Sequence, residues 1–235
     1  MRIPVYIKTG PKVTYRDGHA EIRNPDGKVT WEYHGENFNG IGIAACARSG
    51  TVYMTEVLRR LGYDIGHEAM GRDGSVGYHL AVIKPSGCFH QVRNPLKQIA
   101  SMHQRRSWGF MQHVIDIEGE GLLGCMQYWL GWNELIEEFA VWRYQIEQLK
   151  EVWPEFLERI GHKKCEIPNI PTNTNSNREA LALTDREQIE FTWQDLFNCD
   201  SKLAMKIYNK AVEYGYSVPA MDKIGCHESQ GTEAA

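Results

Sequence analysis

The chain has 235 residues, 42% of them apolar, so it is long enough to bury one substantial core. Its net charge is -4 and no block of Lys and Arg stands out, which argues against nonspecific nucleic-acid binding. The six cysteines form no C-x-x-C pair, so their spacing indicates neither a zinc site nor a disulfide framework. The first twenty residues lack the apolar centre of a signal peptide, and no apolar stretch approaches the roughly 20 residues that span a bilayer. We therefore expect a soluble, cytoplasmic protein without a membrane span.

Residues 1–39 are predicted to form a β-rich extension. Two strand-like segments, 20–23 and 29–33, flank Asn24-Pro25-Asp26-Gly27, in which proline presets φ and glycine permits a positive φ. The pattern predicts an N-terminal β-hairpin. We expect the main domain to cover residues 40–221 and a flexible tail to cover residues 222–235.

From residue 41 onward, short apolar strands alternate with helices. Strands are predicted at 41–45, 63–66 and 88–92; helices are predicted at 52–61, closed by Gly62, and at 95–105, capped by Asn94. This alternation is typical of an α/β fold with a parallel sheet flanked by helices, whose ligands bind beyond the carboxyl ends of the strands.

The second half of the chain is predicted to be mainly helical. An apolar helical stripe covers 122–139, and a strand is predicted at 141–146. The remaining predictions are a helix from Pro154 to Gly161, a long polar loop at 162–180, a short helix capped by Thr192, and a last helix from Asp200 to Gly215.

The segment Cys46-Ala47-Arg48-Ser49-Gly50-Thr51-Val52-Tyr53 lies between a predicted strand and a predicted helix. Backbone N–H groups at such a junction point outward at the positive end of the helix, where an anion can bind. Gly50 lets a phosphate approach the backbone, and Ser49 and Thr51 add hydroxyl donors. Arg48 adds a permanent positive charge. The segment predicts a phosphate-binding turn; an ordinary strand-to-helix connection is the alternative.

As a nucleoside triphosphate loop, residues 42–49 match G-x4-G-K-[ST] only in degenerate form, because Ala47 and Arg48 replace the second Gly and the Lys. The segment instead resembles the 5'-phosphosulfate loop of the sulfotransferases, P-[KR]-[ST]-G-T-T-x-L. Ala47 stands in place of the usual Pro, and Val52 lacks the second Thr hydroxyl.

A second phosphate motif follows the strand at 88–92. Arg93 leaves the end of this strand, and Ser101 comes eight residues later. On a helix that starts at Pro95, the Ser101 hydroxyl and the Arg93 guanidinium can converge on one phosphate. The segment resembles the sulfotransferase 3'-phosphate signature, R-x-P-x5-S, at every specified position. The alternative is a structural helix on which Arg93 pairs with a surface carboxylate.

The resemblance extends to residues 61–68 and 144–149, which look like the acceptor-side strand and the late Y-[RK]-x-E-D-L strand of bacterial and phage-type sulfotransferases. The C-terminal R-K-G-x-x-G-D-W block of the cytosolic animal enzymes is absent, so Arg178 in the polar loop is the candidate that closes over the 3'-phosphate.

The resemblance implies a P-loop sulfotransferase that moves a sulfuryl group from 3'-phosphoadenosine 5'-phosphosulfate (PAPS) to an acceptor hydroxyl or amine on a small molecule or glycan. The product would be adenosine 3',5'-bisphosphate, and no metal would be needed. Tyr53 is expected to stack on the adenine, with a core position as its alternative. The expected donor-binding residues are Arg48, Ser49, Gly50, Thr51, Val52, Tyr53, Arg93, Ser101 and Arg178.

Sulfuryl transfer also needs a base for the acceptor proton and a charge beside the leaving group. Glu68 is the first candidate for the base. His67 is its rival, because neighbouring strand residues point to opposite faces, and His90 is a third candidate. Arg48 is expected to stabilise the charge on the leaving bisphosphate. Four aromatic residues are expected in the core, with an acceptor pocket as their alternative: Trp108, Phe110, Trp129 and Trp132.

Two other functions stay open on the sequence. One is a magnesium-nucleotide phosphotransferase with a degenerate P-loop. The other is a non-catalytic protein that retains the nucleotide pocket, since Ala47 and Val52 depart from the catalytic pattern.

Overall fold

The structure is a computed structural model. It describes residues 40–104, 114–115, 117–170 and 189–224 in full, and only the backbone of residues 12–16, 19–23, 29–34 and 105. In the amino-terminal part, three antiparallel strands pair in the order β1-β2-β3: β1 (Lys12–Arg16), β2 (His19–Arg23) and β3 (Val29–His34). The turn predicted at 24–27 lies outside the described residues.

A second sheet contains five strands, all parallel, in the spatial order β5-β6-β4-β7-β8. Its strands are β4 (Ile41–Ala45), β5 (Ile65–His67), β6 (Gly74–Gly77), β7 (Phe89–Val92) and β8 (Trp142–Gln145). The predicted α/β fold with a parallel sheet flanked by helices is therefore confirmed. Because β4 is the central strand, the turn that follows it lies at the middle of the edge formed by the carboxyl ends of the strands.

Seven α-helices cover the described part of the sheet and its edges: α1 (Thr51–Arg60), α2 (Leu80–Ile83), α3 (Pro95–Arg105), α4 (Gly121–Glu137), α5 (Leu149–Arg159), α6 (Trp193–Cys199) and α7 (Ser201–Glu213). The bounds of α1 and α3 lie within one residue of the prediction. Asn94 caps α3 as expected, since its Oδ1 accepts from the N–H of Lys97 at 3.2 Å. None of the helices in the described part of the chain combines the length and apolar character needed to cross a membrane.

The two faces of the parallel sheet are buried by separate apolar cores, because successive strand residues point to opposite faces. On β4, Ile43 belongs to the core beneath α1 and α5, and its neighbour Ala44 belongs to the larger core beneath α4, α6 and α7. Trp129 and Trp132 are both fully buried in the larger core, as expected. Trp108 and Phe110 lie outside the described residues.

Several features of the fold differ from the sequence predictions. Strand β6 and helix α2 were not predicted; Val76 is the one branched apolar residue among the four of β6, and α2 is a single turn. Helix α5 begins at Leu149, five residues before Pro154, because its buried residues Leu149 and Trp153 continue the apolar face across the proline. The chain also packs beyond the boundary at residue 221, since Ile224 is buried in the larger core.

Candidate active site

The turn between β4 and α1 has an unusual backbone conformation. Arg48 has a φ of 68° and Gly50 a φ of 92°, so two left-handed residues are separated by one position. Such a turn directs successive N–H groups to one side. The space at Gly50 is limited, since a Cβ atom there would lie 3.2 Å from Ile146 Cγ1.

Side chains from β7, from α3 and from the segment that joins them bind the carbonyl groups of this turn. Four consecutive carbonyls accept hydrogen bonds: those of Cys46 (3.2 Å) and Ala47 (2.7 Å) from Gln98 Nε2, that of Arg48 (2.8 Å) from Arg93 Nη1, and that of Ser49 (2.9 Å) from Gln91 Nε2. Gln98 in turn accepts from Trp129 Nε1 at 3.0 Å, and Gln91 accepts from the Tyr144 hydroxyl at 2.8 Å. The carbonyls therefore face the protein interior.

The opposite side of the turn presents donors. The backbone N–H groups of residues 49–53 have no acceptor among the described residues. The Ser49 hydroxyl is completely buried and likewise has no hydrogen-bond partner in the described part of the chain. Native proteins satisfy nearly all buried polar groups, and helix N-termini are common anion sites. The turn therefore fits the phosphate-binding role predicted for it.

The structure brings the two predicted phosphate motifs into direct contact. Arg48 Nε donates to Ser101 Oγ at 3.1 Å, and Arg93 Nη1 donates to the Arg48 carbonyl. Ser101 and Arg93 are therefore linked through Arg48, and no hydrogen bond joins them directly within the described residues. Burial lowers the pKa of Arg93, although the nearby Glu147 carboxylate opposes this effect.

Glu68 and His67 lie together beside the turn. His67 Nε2 is hydrogen-bonded to Thr51 Oγ1 at 3.0 Å and lies 3.8 Å from Glu68 Oε1. The expectation that strand alternation separates these two side chains is wrong, because β5 ends at His67 and Glu68 has a left-handed φ of 53°. Burial raises the pKa of Glu68, whereas a hydrogen bond from Tyr78 and the charge of Arg48 oppose the rise. Burial, with a smaller contribution from Arg59, lowers the pKa of His67.

The other predicted residues differ in their surroundings. His90 is 1% exposed, and its Nε2 donates to Asn133 Oδ1 on α4 at 2.9 Å, so it is a core residue. Burial lowers its pKa to about 3. Val52 is partly buried in the first turn of α1, and Tyr53 is 38% exposed. Arg178 lies outside the described residues.

A cleft of about 500 Å³ adjoins the turn. Its lining residues come from α1, from Arg93 and the first turn of α3, from the segment after β8 and the start of α5, and from the segment after α5: Tyr53, Arg93, Lys97, Ile146, Glu147, Leu149, Lys150 and Ile167. A second cleft of about 520 Å³ lies at the amino ends of β4 and β7, at the opposite edge of the sheet from both motifs. Parallel α/β sheets bind ligands at the carboxyl edge, which favours the first cleft as the functional one.

Sequence reasoning missed the residues that support the turn. Gln91 and Gln98 are 0% and 1% exposed, although glutamine is usually a surface residue. The available signal was their position inside apolar stretches, since a polar side chain at a core position needs a specific partner. The carbonyl groups that these glutamines bind could not be predicted from the spacing of residues in the sequence.

No protein-family model matches the chain, and no curated protein matches it. Within the residues that the structure describes, no group of three or more His, Cys, Asp or Glu side chains is arranged to hold a metal ion. The case for a function therefore rests on the geometry of the turn and its neighbours, and on the resemblance of the two motifs.

Proposed function

We propose that the chain is a sulfotransferase that uses PAPS as donor and a small-molecule or glycan hydroxyl or amine as acceptor. The observation that carries the proposal is the contact of the two motifs through Arg48. Residues that are 53 positions apart meet at the carboxyl edge of one sheet, as a nucleotide bound at both ends requires. The pairing of β7 beside β4 places the two motifs next to each other, so that one ligand can contact both.

The donor set fits a phosphosulfate group. The N–H groups of residues 49–53 and the buried Ser49 hydroxyl can bind its oxygens, and Arg48 adds the positive charge. Because the supporting glutamines already hold the carbonyls, binding requires little reorganisation of the turn. Tyr53 and the adjoining cleft would receive the nucleoside.

Glu68 is the better candidate for the base. Nε2 of His67 is already bonded to Thr51, so His67 orients a hydroxyl of the turn. Glu68 accepts from Tyr78 and lies within the field of Arg48. In the transfer, the acceptor oxygen bonds to sulfur while the bond from sulfur to the bridging oxygen breaks. The bisphosphate leaves with that electron pair, Glu68 takes the acceptor proton, and Arg48 stabilises the leaving oxygen.

The experiment has a binding stage and a transfer stage. Adenosine 3',5'-bisphosphate is expected to raise the melting temperature more than Mg-ATP does, because a ligand stabilises the state that binds it. Equal or reversed shifts contradict the proposal. In the second stage, the protein is incubated with sulfur-labelled PAPS and a library of acceptors. Glu68→Gln is expected to keep bisphosphate binding and lose transfer, while Glu158→Gln, an exposed carboxylate on α5, keeps both.

A further inference from the structure

The cleft beside the turn continues directly from the predicted phosphate site. Ile146 contacts the space next to Gly50 and also lines the cleft. Arg93 is likewise shared, since it bonds to the Arg48 carbonyl and lines the cleft. One ligand can therefore occupy the turn and the cleft together.

The side chains that line the cleft carry a net positive charge. Three cationic side chains, Arg93, Lys97 and Lys150, and one carboxylate, Glu147, line it, so the formal sum is 3 − 1 = +2. Lys97 and Lys150 form no ion pair within the described part of the chain. A phosphate monoester carries about −1.5 to −2 charges at pH 7, which matches this sum.

Glu147 does not compete for the two lysines. Its Oε1 accepts from the N–H of Asn94 at 2.9 Å, and its Oε2 accepts from the Tyr216 hydroxyl at 3.1 Å. Both carboxylate oxygens are therefore engaged by neutral donors on neighbouring segments, which leaves the ammonium groups of Lys97 and Lys150 available to a ligand.

The two lysines come from different elements. Lys97 is in the first turn of α3 and Lys150 in the first turn of α5, and both are exposed. The rest of the cleft is apolar or aromatic, with Ile146, Leu149 and Tyr53. Cations beside an apolar slot suit a phosphate attached to a nucleoside better than a free inorganic ion.

We propose that Lys97 and Lys150, together with Arg93, bind the second phosphate of the nucleotide, the one on the ribose 3' position. The inference rests on the proposed function and adds two residues that the resemblance to the sulfotransferases does not assign. It also predicts that Arg178 is dispensable for that phosphate. Because the ammonium groups are exposed, each contributes only modestly to the binding free energy. Together they determine how much more tightly the protein binds a nucleotide with a 3'-phosphate than one without it.

The test measures the dissociation constants of adenosine 3',5'-bisphosphate and adenosine 5'-monophosphate by calorimetry. The variants are Lys97→Gln with Lys150→Gln, Arg178→Gln alone, and the control pair Lys202→Gln with Lys206→Gln, which changes the same charge on exposed positions of α7. We expect the first pair to weaken bisphosphate binding by roughly tenfold and to leave monophosphate binding unchanged, with no effect of the control pair.

The inference is overturned if the double variant Lys97→Gln with Lys150→Gln prefers the bisphosphate over the monophosphate as strongly as the wild type does. It is also overturned if Arg178→Gln alone loses this preference. A wild-type protein that binds both nucleotides equally contradicts the proposed function itself, so the two failures are distinguishable. The lysine substitutions lie at exposed positions, and each variant's melting temperature checks that it folds.

Discussion

Arg48 Nε donates a hydrogen bond to Ser101 Oγ at 3.1 Å and so joins the turn after β4 to the second turn of α3. The same residue accepts from Arg93 through its carbonyl at 2.8 Å. Arg48 therefore contacts both halves of the second motif through different atoms. The position of the turn and the position of α3 are coupled before any ligand binds.

Ser101→Ala tests this coupling. Without the hydroxyl, the guanidinium of Arg48 loses a partly buried partner and samples more rotamers, so bisphosphate binding should weaken by roughly three- to tenfold. Titration calorimetry measures the effect. Ser86→Ala, at an exposed position before β7, is the control and should change nothing. Equal affinity of the Ser101 variant and the wild type would mean that the contact does not organise the site.

Gly50→Ala should lower both stability and nucleotide affinity. Its φ of 92° costs a side chain about 1–2 kcal/mol, and the new Cβ would crowd Ile146 and the phosphate approach. Gly62→Ala is a matched control, because its φ is 95° and nothing lies within 4 Å of a Cβ there. Urea unfolding should show a loss of stability for both variants, whereas only Gly50→Ala should weaken bisphosphate binding, by roughly tenfold. Similar affinities of the two variants would contradict a phosphate contact at Gly50.

Gln98→Leu should destabilise the fold and disorder the turn. The substitution removes the donor to the carbonyls of Cys46 and Ala47 and the acceptor of Trp129 Nε1, all in or near the core. Unpaired buried groups cost about 1–3 kcal/mol each, so we expect a loss of about 3 kcal/mol in the free energy of unfolding. Gln194→Leu, at a partly buried position on α6 where the amide donates to Asn198 Oδ1, should cost less than about 0.5 kcal/mol. A small loss in the free energy of unfolding for Gln98→Leu would show that water replaces the amide as the hydrogen-bond partner.

Tyr78→Phe should shift the acidic side of the pH–rate profile to higher pH. A carboxylate base works only when ionised, and burial raises the pKa of Glu68, so the proposed mechanism predicts that activity falls as the pH drops below that raised pKa. The Tyr78 hydrogen bond stabilises the ionised form, so its removal raises the pKa of Glu68 further and shifts the acidic side of the pH–rate profile to higher pH. Tyr208→Phe, whose hydroxyl bonds to the Pro219 carbonyl, should leave the profile unchanged. An unshifted acidic side of the profile in Tyr78→Phe would exclude Glu68 as the titrating base.

The fold should lose stability in mild acid through its buried histidines. Burial lowers the pKa of His90 and of His79 from 6.5 to about 3. As pH falls from 6.5 toward 3, the unfolded chain binds protons that the native state does not, so the free energy of unfolding decreases by about 1.4 kcal/mol per pH unit for each histidine. In His90→Gln, the decrease between pH 6 and pH 5 should be smaller than in the wild type by about 1 kcal/mol, measured by urea unfolding. Equal decreases would show that His90 is protonated in the native state.

The sequence by itself determined the local elements around the site. Helix α1, helix α3 and the strands before them could be predicted because apolar periodicity and caps such as Asn94 act within a few residues. The spacing from Arg93 to Ser101 also followed from the sequence. These features depend on short-range backbone geometry, which neighbouring residues specify.

Only the tertiary structure decided which side chains surround the turn. The order of the strands places β7 beside β4, and this pairing brings Gln91, Arg93 and Gln98 to the carbonyls of the turn. The left-handed backbone at Glu68 could not be predicted from the sequence spacing, and neither could the position of Lys97 and Lys150 on one cleft. These contacts join residues tens of positions apart, so they depend on the packing of the whole sheet and not on any local pattern.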